Sequence, residues 1–356
     1  MKQLKRWCSA MLIGSLTMTP LARAQEAAPD HPLTGNEITP ASREAVERGL
    51  DWLARQQQAD GSFGRQDSFG ARSGITALSG LAFMSAGNLP GRGKYGQNVQ
   101  RAVDYLINNA QESGLLASEQ AHGVMYSHGF AMLFLAEVYG MTGDEQVKER
   151  LQKAVRLTQR CQNDEGGWRY QPAPVDADIS VTITQVMALR AARDAGIKVE
   201  KEVIDKAVEY VRRCQNADGG FSYMARQGGM GGSAFPRSAA GVATLYYAGL
   251  HDGDEIKRGN AYLLRFLPKG GGNDAGMHGH YFYGHYYAVQ ATFMTGGEVW
   301  AKWYPAIRDQ LIARQNRGHG NWSGDVSDEY ATAMALIILQ MPNRYLPVFS
   351  GKGAGG

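Results

Sequence analysis

The 356-residue sequence predicts an all-α fold in which six helical hairpins close into one (α/α)6 toroid. Three observations predict it. The phrase Cys161-Gln162-Asn163-Asp164-Glu165-Gly166-Gly167-Trp168 returns 53 residues later as Cys214-Gln215-Asn216-Ala217-Asp218-Gly219-Gly220-Phe221, and self-similarity at a fixed period marks one unit used many times. Two kinds of helix alternate around that phrase, one amphipathic and one apolar on all sides, which suits an outer and an inner ring. None of the units has the polar outer face that caps an open solenoid, so closure is expected.

The outer helices are read at Ser42–Gln57, Val99–Asn109, Glu145–Cys161, Glu202–Cys214, Asp254–Phe266 and Trp300–Gln315. In the first, Ser42 is the expected N-cap, and Val46, Leu50 and Leu53 share one face. Turn glycines follow near Gly61, Gly114, Gly166, Gly219, Gly272 and Gly320, where positive φ ends a helix cheaply. The inner helices are read at Ser73–Gly87, Ser127–Gly140, Ile179–Gly196, Ser238–Gly249, His285–Gly296 and Glu329–Gln340. Looser copies of the phrase appear at Gln57–Phe63 and Gln315–Trp322.

Residues 1–24 read as a secretory signal: a basic start (Lys2, Lys5, Arg6), an apolar stretch, and Ala22-Arg23-Ala24 as the cleavage pattern. This places the mature protein in the periplasm or outside the cell. The leader holds four basic residues and no acid, so a formal charge of +3 for the whole chain becomes −1 without it. Nothing electrostatic then favours nucleic acid. Residues 25–40 read as a flexible lead-in, 41–345 as the toroid and 346–356 as a flexible tail. Cys161 and Cys214 occupy equivalent places on neighbouring repeat helices, which usually lie about 10 Å apart, so free buried thiols are expected.

The recurring Gln…Gly-Gly-Trp/Phe phrase resembles the repeat of the terpenoid cyclase and protein prenyltransferase superfamily, and in particular the glutamine–tryptophan motif of squalene–hopene cyclases. The resemblance covers about residues 42–343. It implies that the Gln and aromatic residues tie outer helices together, and that chemistry sits where the chain passes into the inner helices. There, Asp176-Ala177-Asp178-Ile179 resembles the Asp-x-Asp-Asp motif of class II cyclases, with Asp178 in the place of the acid that protonates an alkene. The fourth position is Ile179 instead of Asp. The residues alone also fit Asp178 or Ser180 as N-cap of the inner helix that follows.

The segment His278-Gly279-His280-Tyr281-Phe282-Tyr283-Gly284-His285-Tyr286-Tyr287 resembles the stretch that supplies the zinc-binding histidine of prenyltransferase β subunits, and it nominates His285 as a reacting group. The Asp-x-Cys pair of those enzymes has no counterpart, so no metal or cofactor is expected. The Gly-rich stretch Gly228–Arg237 reads as a mobile loop with Arg237 at an inner-helix start, and it lacks the lysine of a phosphate loop. Arg72, His128, Asp178, Arg237, His285 and Asp328 are read as one ring of charges at a single end of the toroid.

Asp178, Asp176 and His285 are thus the catalytic candidates. Trp168, Tyr170, His128, Arg237, His280, Tyr283, Tyr286 and Asp328 are candidates for binding a ligand. The expected partner is a small apolar ligand of isoprenoid type in a central cavity, with contact at a membrane surface left open. Two other functions fit the sequence: a non-catalytic exported binding module, and a carbohydrate-active toroid using paired carboxylates. The absence of Cys-Gly-x-x-Gln excludes a thioester of the kind found in secreted toroids.

Overall fold

The computed structural model describes residues 35–64, 72–117, 123–225, 232–269 and 280–349. Twelve α-helices occur among them: α1 Pro40–Arg55, α2 Arg72–Met84, α3 Gly96–Asn108, α4 Val124–Thr142, α5 Glu145–Arg160, α6 Ile179–Asp194, α7 Lys201–Cys214, α8 Phe235–Tyr247, α9 Asp254–Leu263, α10 Tyr281–Thr295, α11 Gly297–Arg314 and α12 Asp328–Gln340. The even-numbered helices pack in sequence, and α12 returns to α2, so the inner ring is closed. The odd-numbered helices lie outside, and α1 meets both α11 and α12. Among the described residues no helix is long and apolar enough to cross a membrane.

The repeated phrase explains the closure. The Gln57 amide donates to Gly61 O in its own turn at 2.9 Å and to Asn98 O of α3 at 2.9 Å. Gln162 bridges Gly166 O and Val203 O in the same way, Gln215 bridges Gly219 O and Glu255 O, and Gln315 bridges Gly320 O and Ala45 O. The last of these joins the end of α11 to the start of α1. The aromatic of each phrase lies beneath the turn, and its backbone N–H donates to a hydroxyl of the following inner helix. The pairs are Phe63 with Thr76, Trp168 with Thr182, Phe221 with Ser238 and Trp322 with Thr332.

Several boundaries differ from the sequence reading. Thr39, not Ser42, caps α1. Thr39 Oγ1 accepts from Ser42 N, Ser42 Oγ accepts from Thr39 N, and Pro40 pre-sets the first helical φ. α4 runs through Gly140 and ends at Gly143, whose φ is +69°. α4, α8 and α10 each start about one turn before the expected residue, because apolar and aromatic side chains there (Val124, Phe235, Tyr281) have core to bury against. Cys161 and Cys214 are buried and free.

The ends also differ. Glu37, inside the stretch read as a lead-in, is buried; its carboxylate accepts from Trp300 Nε1, and Arg308 donates to Asn36 O and Glu37 O. Leu346, Val348 and Phe349, read as the start of a flexible tail, are buried because they cover the far ends of the inner helices. Val348 N donates to Glu137 Oε1 of α4, and Asn343 donates to Ser85 O beyond α2. The signal sequence, the turn at Gly272, His278, Gly228 to Gly231 and residues 350–356 lie outside the described residues.

Two predictions follow from this packing. A Cβ on Gly219 (φ +87°) meets Arg258 O at 2.4 Å, whereas one on Gly249 (φ +95°) meets nothing within 4 Å. Gly249→Ala is expected to cost about 1 kcal/mol for its left-handed backbone. Gly219→Ala, which also wedges two outer helices apart, is expected to cost roughly 3 kcal/mol. Denaturant unfolding measures both, and equal losses would contradict the seam.

The second concerns Glu137, whose carboxyl burial pushes up to about 8 from an ordinary 4.5. A carboxyl whose folded pKa is raised gives its full stability below the unfolded value and loses it as pH rises to the folded value. Melting temperature should therefore fall between the ordinary carboxylate range and about pH 8, then level off. Glu137→Gln should flatten that fall, and an unchanged profile in the variant would contradict the assignment.

Candidate functional site

Among the described residues, five repeats send a half-buried tyrosine to the end of the ring where the inner helices begin. They are Tyr126 on α4, Tyr170 before α6, Tyr223 after α7, Tyr283 on α10 and Tyr330 on α12. The repeat builds part of this collar directly. Met125 N at the start of α4 donates to Tyr170 O, and Ile179 N at the start of α6 donates to Tyr223 O, each at 3.0 Å. The Tyr170 and Tyr223 hydroxyls hydrogen-bond each other. Tyr126 OH lies 2.6 Å from Ser180 Oγ, and Tyr283 OH donates to Ser180 O at 3.0 Å. Tyr330 stands within electrostatic reach of Tyr283 and Tyr287.

Asp178 lies beside Tyr223 in this collar, fully buried. Its Oδ1 accepts from Ser180 N and Val181 N, both at 2.9 Å, and from Ser180 Oγ at 2.5 Å, so it is the N-cap of α6. Its Oδ2 accepts from Tyr223 OH at 3.2 Å and lies 3.8 Å from Arg169 Nε. Burial raises its pKa above the ordinary value, while Ser180, Val181, Tyr223 and Arg169 pull it back. Arg169 donates to Asp176 Oδ2 at 2.6 Å, with its guanidinium 5.1 Å from the Tyr170 ring and 5.6 Å from that of Tyr223. One arginine between two aromatic faces thus holds both carboxylates.

The other candidates are elsewhere or differently employed. His128 does not face the ring's interior. It accepts from Leu116 N at 3.2 Å and pairs with Thr158 of α5 at 2.9 Å, taking the place that Thr76, Thr182, Ser238 and Thr332 hold in their repeats. Burial drives its pKa down to about 4, so it is a neutral acceptor. Trp168 is buried in the wall and donates to Thr158 O. His285 is one turn inside α10, packed among Phe235, Tyr281 and Trp303, and burial lowers its pKa to about 3. Neither of its ring nitrogens is hydrogen-bonded among the described residues.

For Arg72, Arg237 and Asp328, the expected ring of charges resolves into contacts within single repeats. Arg72 pairs with Asp60, Arg237 donates to Phe221 O and Gly232 O, and Asp328 accepts from Asn321. His280 is exposed at the N-cap of α10, and Tyr286 is fully buried below the collar. Among the described residues no group of three His, Cys, Asp or Glu side chains is placed to hold a metal ion.

Sequence reading missed Arg169, Tyr126, Tyr223 and Tyr330. The first and third were within reach: Gly-Gly-Trp-Arg-Tyr170 and Gly-Gly-Phe-Ser-Tyr223 extend the repeated phrase by two residues in exact register.

Comparisons with known proteins agree with this architecture. The family model for the squalene–hopene cyclase C-terminal domain matches residues 135–301, and that for the prenyltransferase α/α toroid domain matches residues 10–143. A squalene–hopene cyclase of Zymomonas mobilis is 24% identical over 225 residues, 54% of this chain; the match spans 32% of that protein's length. Among solved structures, the type II terpene cyclase MstE from Scytonema superposes with a TM-score of 0.58 at 16% identity, covering 86% of this chain and 100% of that one. The α-1,6-mannanase GH76A of Salegentibacter superposes with a TM-score of 0.62 at 9% identity, covering 84% and 98%.

Proposed function

We propose that the chain is a terpenoid-cyclase-like exported toroid that binds an isoprenoid-type apolar ligand within its tyrosine collar. The collar is the observation that carries the reading. Several of its hydroxyls are spent on one another and on Ser180, which leaves aromatic faces as the recognition surface. Such faces suit an apolar chain or a positively charged carbon skeleton better than a polyol. MstE supports the class of ligand, since a variant of it was captured with geranylgeranyl dihydroxybenzoate as substrate. That whole chain aligns with the toroid here, so a second barrel is not a requirement of the reading. The signal-like residues 1–24 are the ground for export.

The carbohydrate alternative draws less support. A glycosidase holds two carboxyls apart across the scissile bond, whereas here Asp176 and Asp178 converge on the single guanidinium of Arg169. Titration of the protein with geranylgeraniol and with α-1,6-mannotriose, followed by tryptophan fluorescence, separates the two. Geranylgeraniol should bind, and Tyr126→Ala and Tyr283→Ala should each weaken it about tenfold, or about 1.4 kcal/mol. Binding of the sugar and not of the isoprenoid would sink the proposal.

A second reading makes Asp178 a proton donor to an alkene, and its burial-raised pKa favours it. The acid form is populated only below that pKa, so any product from squalene or a geranylgeranyl compound should form faster as pH falls into the carboxylate range. Asp178→Asn keeps the N-cap and removes the acid, and should abolish product. Retained product in that variant rules the acid role out.

A further inference from the structure

The interior of the ring closes a short way beneath the collar. In the ring of six inner helices, α4 and α10 are third neighbours, so they face each other across the axis. The rings of Phe130 on α4 and Tyr286 on α10 nonetheless meet edge to face, with centroids 6.1 Å apart. The Tyr286 hydroxyl also reaches Met187 Sδ on α6 at 4.0 Å. Three helices are thus bridged through the middle at one level, and Phe130, Met187 and Tyr286 are all buried.

That level lies near the mouth. Phe130 is four residues beyond Tyr126 on α4, and Tyr286 is three beyond Tyr283 on α10. At 1.5 Å of rise per residue, the collar and the closure are about 5 Å apart, roughly one helical turn. A long apolar chain has no room to lie along the axis.

We infer that the Phe130–Tyr286 pair is the floor of the ligand recess and determines specificity, so that the site encloses only the end of an apolar chain and leaves the remainder at the mouth. The inference rests on the ligand-binding reading for the nature of the ligand, but not for the floor itself. Chain length beyond one enclosed end contributes nothing to affinity in the wild type. Removing either ring frees the volume that ring fills, deepens the recess and makes longer chains bind more tightly.

The test has two arms on the full-length protein. In the first, geraniol, farnesol and geranylgeraniol are titrated against wild type, Tyr286→Ala, Phe130→Ala and Tyr286→Phe. Wild type and Tyr286→Phe should bind all three within about twofold, whereas each alanine variant should gain about tenfold from geraniol to farnesol, since buried apolar area raises affinity. Wild-type affinity that climbs steadily along the series, or alanine variants with the wild-type slope, overturns the floor.

In the second arm, xenon is located in crystals under pressure, because dry apolar cavities bind it. Xenon should sit below the collar in Tyr286→Ala, or in Phe130→Ala if the first variant does not fold, and not in wild type. Xenon already present beneath Tyr286 in wild type overturns the inference. If no alcohol binds any variant but xenon behaves as expected, the isoprenoid reading falls and the floor stands.

Discussion

A glutamine amide at the end of an outer helix, shared between two carbonyls, is the interaction on which the rest of this molecule depends. Gln57, Gln162, Gln215 and Gln315 each donate to the carbonyl of their own turn glycine and to one in the first or second turn of the next outer helix. Each such hydrogen bond is worth only about 1 kcal/mol, so the seam is not the source of stability, which comes from apolar burial along the inner helices. What the seam supplies is a fixed contact between neighbouring hairpins at the four joints that carry it. At the last of them α11 lies beside α1, and Gln315 closes on Ala45.

The turn glycines make that joint feasible. Gly61, Gly166, Gly219 and Gly320 have φ between +87° and +99°, and a Cβ on any of them would collide with a backbone carbonyl of the neighbouring outer helix. The same geometry delivers the chain to the inner ring at a constant height. The aromatic residue tucks beneath the turn and the next tyrosine lands on the rim, twice in strict register at Tyr170 and Tyr223. The collar is therefore a by-product of the joint, and Asp178 with Arg169 is a place where the joint has acquired a partly buried ion pair. A buried pair of this kind owes its net value to the donors that saturate it, here Ser180, Val181 and Tyr223.

Most of the fold was legible in the sequence because the repeat is written in residue types with strong local meaning: glycine at positive φ, glutamine before it, an aromatic after it. Thr39 was missed because Ser42 is an equally good cap by type, and only the reciprocal bonds between them show which is first. The site was less legible. His128 and His285 look alike as chemistry-bearing residues, but His128 replaces a hydroxyl that accepts a turn N–H, and His285 is sealed among aromatic rings. Nothing in residue type separates an acceptor in a wall from a ligand in a cavity; depth along the helix decides it. Asp178 was found because capping and acid chemistry both favour a carboxylate at a helix start, and the structure shows the cap directly.

Function then turns on whether the collar, and not the outer surface, meets the ligand. A groove of about 500 Å³ on the outside, lined by Asp164, Lys206 and Arg213 among others, is the competing location. Photoaffinity labelling with a diazirine-bearing geranylgeranyl alcohol, followed by peptide mapping, tests this most directly. Labelled peptides should carry Tyr126, Tyr223 or Tyr283, with protection by unlabelled geranylgeraniol. Protectable labelling confined to the peptides of the outer groove would contradict it.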